Sequence, residues 1–427
     1  MDMLVAFFAQ NASIEYVRYQ WVDYSGVLHA KVIPKAYCLT MEANDKRISL
    51  AQNCLIVPIS TAPDCFPAGP QRWELSPDWP SLRVCHFKPN HAMVMCFITQ
   101  VEPQSGTPFE KCPRKALYRA VDAFGDETRV LIGYEIEFVL LDEHANLASS
   151  LDRNTGFASM AGLRGEGLLI MEEVCEALLK SGIAVQDFHT EIADQFEIVL
   201  CPEDPVRAID ALMLAQETIR SITIKHGVKA SLAPRPVISG PQNGLHTHVS
   251  LNPLPENAAS FLQGVLENLC SLCVLGMPNF DSYVRVMDDG AGCYISWGTE
   301  NRDLPIRKIG DRWEFRCVDV TANHYLFLAA LLSAGHEGMK QNSELRFKDC
   351  MEFQENMTAM KMASYGISER MPNTLTRTIE AAKHSEGMTT WLGKSLMDEY
   401  IRLKEKEVTV FQSMHDEERR KRYLRFF

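Results

Sequence analysis

The stretch Val130-Leu131-Ile132-Gly133-Tyr134-Glu135-Ile136-Glu137-Phe138-Val139-Leu140-Leu141 sets two glutamates one residue apart inside an apolar run. In a β-strand, residues i and i+2 share a face. The spacing therefore predicts that Glu135 and Glu137 look to one side while Ile136 goes to the other. Flanks this apolar do not suit an exposed strand, so the two carboxylates must find partners inside the protein. His246-Thr247-His248, with Ser250 in phase and Gly244 ahead of it, follows the same rule, as does Glu314-Phe315-Arg316. Glu191-Ile192-Ala193-Asp194-Gln195-Phe196-Glu197 adds two carboxylates at an even spacing. Five carboxylates and a histidine on one sheet face repel unless cations compensate them, so divalent metal binding is the first expectation.

Each pair alone is weak evidence. Glu-x-Glu on a strand is commonly a solvated sheet face, and a lone histidine is more often a hydrogen-bonded core residue. Together they favour a site, and Gly244 beside His246 lets backbone approach a ligand closely. The segment Trp297-Gly298-Thr299-Glu300-Asn301-Arg302-Asp303-Leu304-Pro305-Ile306-Arg307-Lys308 supplies cations able to clamp phosphate or carboxylate oxygens. Metals plus arginines imply a polyanionic substrate, with a nucleoside triphosphate the obvious one.

With 427 residues, 46% hydrophobic and 23% charged, the chain has a globular composition and ample core material. Its length allows two or three domains. A formal net charge of −12, with no basic stripe interleaved with aromatics, argues against nonspecific nucleic-acid binding. The apolar start at residues 1–9 follows no Lys or Arg and is too short for a secretory signal. The longest clearly apolar run, 325–332, is far short of a membrane span. A cytoplasmic protein with no membrane and no nucleic-acid partner is expected. Thirteen cysteines scattered through apolar stretches point to reduced, buried thiols. Cys270-Ser271-Leu272-Cys273 lies in an apolar helical pattern with no second pair, which favours core packing over redox or metal chemistry.

Along the chain, residues 14–34 predict a hairpin around Tyr24-Ser25-Gly26. Dense prolines over 62–113 interrupt short strand-like pieces and place the end of a small N-terminal unit near 103–113. Beyond it the pattern predicts an amphipathic segment at 115–124, strands at 134–141, 196–200 and 244–251, and helices at 168–181, 205–226 and 258–275. Strands bearing polar pairs alternate with long helices, implying a large sheet covered by helices on one face and free on the other. The charged run Asp416-Glu417-Glu418-Arg419-Arg420-Lys421-Arg422-Tyr423 is expected to be a solvated helix face.

Five ordered motifs then resemble the glutamine synthetase family: Glu135-x-Glu137, His189-x-Glu191 followed by Gln195-Phe196-Glu197, Gly244-x-His246-x-His248-x-Ser250, Asn301-Arg302 with Arg307, and Glu314-Phe315-Arg316 followed by Asp319, Asn323, Tyr325 and Leu326. The likeness is strongest to a divergent branch that includes γ-glutamyl-amine ligases. It implies an α+β fold, with a small β-grasp-like N-terminal domain at 1–108 and a catalytic domain at 109–427 made of a curved antiparallel sheet with helices packed outside. The resemblance assigns Glu137, Glu191 and Glu197 to one Mg²⁺ or Mn²⁺ and Glu135, His246 and Glu314 to a second. His248, Ser250, Arg302 and Arg307 would meet ATP, Gly244, Arg285 and Arg316 would meet the acid substrate, and Arg285, Arg302 and Arg316 would serve catalysis. Small-molecule acid and amine substrates and a ring-shaped homo-oligomer, decameric or dodecameric, are implied as well.

Departures from the family concern the nucleophile and the acid. The Asp-Gly-Ser-Ser segment whose Asp helps bind ammonium has no counterpart between residues 44 and 70, and the loop glutamate expected six residues after Arg285 falls on Ala291. The linker between Glu191 and Glu197 is shortened, and Pro241-Gln242 stands where relatives carry Asn-Gly. An ATP-dependent ligase that γ-glutamylates an amine is the leading expectation. Glutamine synthesis itself is the alternative, and a non-catalytic structural or regulatory relative is a reading of another class.

Overall fold

The computed structural model describes residues 2–59, 72–100, 109–148, 156–192, 195–287 and 290–427. The first sheet comprises β1 (Tyr16–Val22), β2 (Leu28–Pro34), β3 (Ile48–Leu50), β4 (Trp73–Pro77), β5 (Arg83–Val84) and β6 (His91–Gln100). Their order is β2-β1-β6-β4-β3 with β5 on β6, and β1 runs parallel to β6 while the other neighbours are antiparallel. The predicted hairpin is β1–β2. The expected boundary at residue 108 falls in 101–108, outside the described residues.

The second sheet comprises β7 (Arg129–Leu141), β8 (Val185–Thr190), β9 (Gln195–Glu203), β10 (Lys229–Ser231), β11 (Leu245–Asn252), β12 (Trp297–Thr299), β13 (Ile306–Ile309) and β14 (Arg312–Phe315). Their order is β12-β13-β14-β11-β7-β9-β8 with β10 beside β7, and all pairs are antiparallel except β12 with β13. The strands predicted at 134–141 and 196–200 sit inside longer β7 and β9, because charged and proline-bearing ends such as Arg129 and Pro202-Glu203 carry no apolar alternation, and the one predicted at 244–251 is β11 displaced by one residue. The α+β architecture expected from the resemblance is the one observed.

Helices Glu166–Lys180, Pro205–Lys225, Ala258–Gly276 and His324–Lys340 supply the cover. Tyr134, Ile136 and Phe138 of β7 are buried beneath them, with Tyr134 edge-on to His324 at 5.8 Å, while Phe261 stacks on Trp313 of β14 at 5.2 Å. These rings alternate with Glu135, Glu137 and Glu314, which leaves the acids on the opposite face. Helices Ala258–Gly276 and His324–Lys340 touch backbone to backbone, since a Cβ on Gly264 would stand 2.3 Å from the Ala334 carbonyl oxygen. Ala258–Gly276 is apolar and long enough by composition to cross a membrane, yet 78% of its apolar window is buried inside the protein. Gln263, Glu267 and Asn268 interrupt its apolar residues, so the run at 325–332, buried in helix His324–Lys340, remains the longest uninterrupted one. Cys270 and Cys273 lie on this helix, and the twelve cysteines among the described residues are free thiols.

The charged C-terminal run is likewise more than a solvated face. In helix Asp416–Tyr423, Arg419 is buried against Asp281 at 2.9 Å, Arg420 donates to the Pro236 carbonyl at 2.6 Å, and Tyr423 is buried. One face of the helix is therefore packed while Glu418 and Lys421 remain outside.

The β1–β2 turn docks on the segment that follows β14 and on helix Lys394–Phe411. Asp23 Oδ1 accepts from the backbone N–H of Ser25 and Val27, which closes the turn. Asn323 Nδ2 donates to the Asp23 carbonyl at 2.7 Å, and Glu407, paired with Lys404 at 2.8 Å, accepts from Ser25 Oγ and the Ile59 N–H. Gly26 has φ +79° and a Cβ there would lie 2.3 Å from the Thr321 carbonyl oxygen. Gly26→Ala should therefore destabilise the protein by about 2 kcal/mol or more. Gly125→Ala, also at positive φ (+65°) but with nothing within 4 Å, should cost only about 1 kcal/mol. Equal losses in thermal or denaturant melts would contradict the tight docking of the turn.

Candidate active site

Strand register carries the polar residues diagonally across the open face. Arg307 on β13 faces Glu314 on β14, which faces His248 on β11. His246 faces Glu135 on β7, Glu137 faces Glu197 on β9, and Glu197 faces His189 on β8. Glu135 is central: its two oxygens lie 2.8 Å from His246 Nδ1 and 2.8 Å from His248 Nε2. His248 Nδ1 accepts from Arg312 Nε at 3.3 Å, so the proton sits on Nε2 and is donated to Glu135. His246 also lies 3.3 Å from Glu314 and 3.5 Å from Glu137.

Among the described residues, three groups place ligating atoms within 4.8 Å of one another: Glu135, His248 and Glu314; Glu135, Glu197 and His246; and His189, Glu191 and Glu197. They overlap the two triads implied by the sequence but divide the residues differently. Glu137 accepts the Gly244 N–H at 2.6 Å and stands outside the three groups, while His189 joins Glu191 at 3.3 Å and Glu197 at 3.7 Å. Gly244 has no room for a side chain, since a Cβ would lie 2.5 Å from Arg285 Nη2. Ala193 and Asp194, between Glu191 and Glu197, lie outside the described residues.

Burial raises the pKa of Glu135, yet hydrogen bonds from His246 and His248 outweigh it and hold the carboxyl well below the usual range. Burial likewise opposes ionisation of Glu314, and His246 and Arg316 outweigh it. Glu197 has no such help. Burial, then the charges of Glu135, Glu137, Glu191 and Glu314, pushes its pKa up to about 10. A carboxylate-rich set with imidazoles at its edges suits a hard divalent cation such as Mg²⁺ or Mn²⁺.

Arginines close one end. Arg316 lies 2.7 Å and Arg307 3.2 Å from Glu314, and Arg307 also pairs with Glu300. The Nε of both Arg307 and Arg316 is buried without a hydrogen-bond partner. Arg285 is buried and donates to the carbonyls of Arg316, Cys317 and Val318 at 2.7 to 3.1 Å, so it fixes the backbone from which Arg316 projects. Ser250 borders a cavity of about 410 Å³ also lined by Arg312, Ile309 and Asn252. Arg302 sits elsewhere, at the mouth, with its guanidinium carbon 6.0 Å over the Phe157 ring. His189 was legible in the motif as the i−2 neighbour of Glu191, and Arg312 as the i−2 neighbour of Glu314. Phe157 had no local signal.

Residues 110–423 match the family model for the glutamine synthetase catalytic domain. The chain belongs to the glutamine synthetase family. Protein fluG of Emericella nidulans is 32% identical over 439 residues, covering 98% of this chain and 50% of that protein, so the chain spans about half the length of this relative. A glutamine synthetase of Staphylococcus aureus is 27% identical over 444 residues, 98% of this chain and 97% of the relative. Among solved structures, a GmaS–ADP complex matches with a TM-score of 0.81 at 22% identity over 98% of each chain. A novel glutamine synthase homolog matches with a TM-score of 0.80 at 23% identity over 97% of this chain and 99% of the other. Both are likenesses of fold.

The Glu197 environment gives a pH prediction. Its folded pKa, about 10, lies above the unfolded value of 4.5, so the stability it contributes is present below pH 4.5 and is lost as pH rises toward 10. In chelator, the wild type should lose thermal stability relative to Glu197→Gln between about pH 5 and pH 9. Excess Mn²⁺ should reverse the order by binding the ionised site. Parallel curves with and without Mn²⁺ would contradict a cation-compensated cluster.

Proposed function

We propose that the chain is an ATP-dependent carboxylate–amine ligase that acts on glutamate. The γ-carboxylate attacks the γ-phosphorus of ATP, giving γ-glutamyl phosphate and ADP, and an amine then displaces phosphate from the acyl carbon. The observation carrying this reading is the pair of buried, unpartnered Nε donors on Arg307 and Arg316 at the edge of a five-carboxylate track. Buried donors without a protein partner are filled by water or a ligand, and beside Glu314 a phosphate or carboxylate oxygen is a fitting acceptor. The catalytic-domain match and the curated glutamine synthetases support the same class.

In this reading Glu135, His246 and Glu314 hold one Mg²⁺ or Mn²⁺, and Glu137, Glu191 and Glu197 hold another, with His189 as a further donor. Bound there, the cations would neutralise charge developing on the transferred phosphoryl group. His248, Ser250, Arg302 and Arg307 belong to the ATP side and Arg316 to the acyl phosphate, with Gly244 letting the acid approach the backbone. Arg285 positions Arg316. Ala291 is buried in the loop where the family's glutamate is expected, so no carboxylate arises from that position to serve ammonium. This favours an organic amine over glutamine synthesis itself. A cytoplasmic ring oligomer belongs to the same proposal.

Phosphate release from MgATP, screened over acids and amines, tests it. Release should require glutamate and an amine together, and ammonium should be a poor acceptor. Glu135→Ala and Glu191→Ala should each lower turnover by roughly a hundredfold or more, and Arg316→Lys by about tenfold through loss of the planar fork. Efficient glutamine formation at low ammonium, with no better amine, would restore glutamine synthetase. Failure of every acid–amine pair would favour the non-catalytic relative.

A further inference from the structure

A cavity of about 190 Å³ that shares no residue with the acid track is lined by Val286, Cys293, Arg370, Met371, Asn373 and Arg377. Its floor is apolar, since Val286 and Met371 are buried, while Arg370, Asn373 and Arg377 stand exposed at its rim. The walls are held in place. The Met371 N–H donates to the Cys293 carbonyl at 2.9 Å and the Ile295 N–H to the Glu369 carbonyl at 3.1 Å, which pairs 369–371 with 293–295 around the Tyr294–Arg370 bridge. The Arg370 guanidinium lies 5.0 Å over the Tyr294 ring, and its Nη2 donates to the Tyr294 hydroxyl at 3.2 Å. On the other side the Cys293 thiol donates to the Val286 carbonyl at 3.2 Å and the Ala291 N–H to the Arg285 carbonyl at 2.8 Å, so the loop that leaves Arg285 is closed at the cavity wall.

Positive charge gathers here without an answer to it. Among the described residues neither Arg370 nor Arg377 is paired with a carboxylate: Arg370 bonds Tyr294, and Arg377 reaches toward the Cys270 sulfur. Arg377 also lies in the first turn of helix Leu375–Lys383, which Thr374 caps and in which no acidic residue stands. That turn carries the positive end of the helix dipole, and an arginine there adds like charge. Two guanidiniums and a helix N-terminus above an apolar floor are complementary to an anion with a hydrocarbon body.

We propose that this cavity is a second binding site, for a small carboxylic acid with a short hydrocarbon chain, and that the bound acid ties helix Leu375–Lys383 to the loop leaving Arg285. The carboxylate takes the rim, where Arg370 and Arg377 offer forked donors, and the chain covers Val286 and Met371. At roughly 30 Å³ for each water-sized group the space holds about six of them, which matches an acid the size of butyrate. Arg285 fixes the carbonyls of Arg316, Cys317 and Val318, so the site has a route to the arginine end of the track without sharing a ligand with it. It stands whatever reaction the track performs.

Saturation-transfer NMR titrations of the full chain with acetate, butyrate and inorganic phosphate test the proposal. Butyrate should bind about tenfold more tightly than acetate through its two further methylenes, and more tightly than phosphate. Arg370→Ala and Arg377→Ala should each weaken butyrate about tenfold, whereas Arg316→Lys should leave its affinity unchanged, which separates the cavity from the acid track. Saturating butyrate should slow amide hydrogen exchange at 290–295 in the wild type and not in Arg377→Ala. Both arginines are exposed, so a folding defect is easy to exclude by thermal melt. Butyrate affinity unchanged in both alanine variants, or lost in Arg316→Lys, would overturn the site. Equal affinity for phosphate and butyrate would overturn the choice of a carboxylic acid, and unchanged exchange at 290–295 with butyrate bound would overturn the tie to the loop. None of these results bears on the ligase reading.

Discussion

Mutual repulsion among five glutamates on one face of one sheet is the constraint on which the rest of this structure depends. Glu135, Glu137, Glu197 and Glu314 are brought together by strand register, and Glu191 follows directly on the end of β8, so the backbone leaves these carboxylates little freedom to separate. The protein's own cations compensate only part of that charge. His246 and His248 serve Glu135, and Arg307 and Arg316 serve Glu314. Glu197 is left as the uncompensated member, and its raised pKa is the thermodynamic mark of a surface that lacks positive charge. Such a surface is costly to fold for structural reasons alone and is suited to gathering metal ions and a phosphoryl donor.

The scaffold is rigid where this charge has to be held. Behind the acids, Tyr134, Ile136, Phe138 and Trp313 lie under helices that approach each other through Gly264 and Gly338. In front, Gly244 donates to Glu137 with no side chain to keep the backbone away, and Arg285 pins the carbonyls after Glu314. The β1–β2 turn reaches the same 316–323 segment through Gly26 and Asn323, which couples the N-terminal sheet to the arginine end of the track. The outer end is different in character. There Phe157, Met160 and Ile192 are exposed to solvent.

Period-2 alternation made the core of the site legible, because Glu135/Glu137, His246/His248 and Glu314/Arg316 declare a common face through local spacing alone. The long helices were legible for the same kind of reason. What could not be read locally was how strands are paired. Register sets both Glu137 and His189 opposite Glu197, yet Glu137, which accepts the Gly244 N–H, stands outside the group that His189 forms with Glu191 and Glu197, and nothing within either segment encodes this. Arg302 and Arg307 look equivalent in sequence, yet one lies over Phe157 and the other over Glu314, because β13 begins between them. The tail at 416–423 misled because its charges are nearly continuous, while burial of Arg419 and Arg420 depends on Asp281 and the Pro236 carbonyl, both distant in sequence.

The central claim is that the acid track holds two divalent cations in close proximity. Titration of the metal-free chain with Mn²⁺, followed by electron paramagnetic resonance, tests it most directly. The account predicts two bound ions per chain, with the free-Mn²⁺ signal suppressed until both sites fill and a spin-coupled spectrum from the filled pair. A single magnetically isolated ion per chain, or no binding beyond that of exposed surface carboxylates, would contradict it.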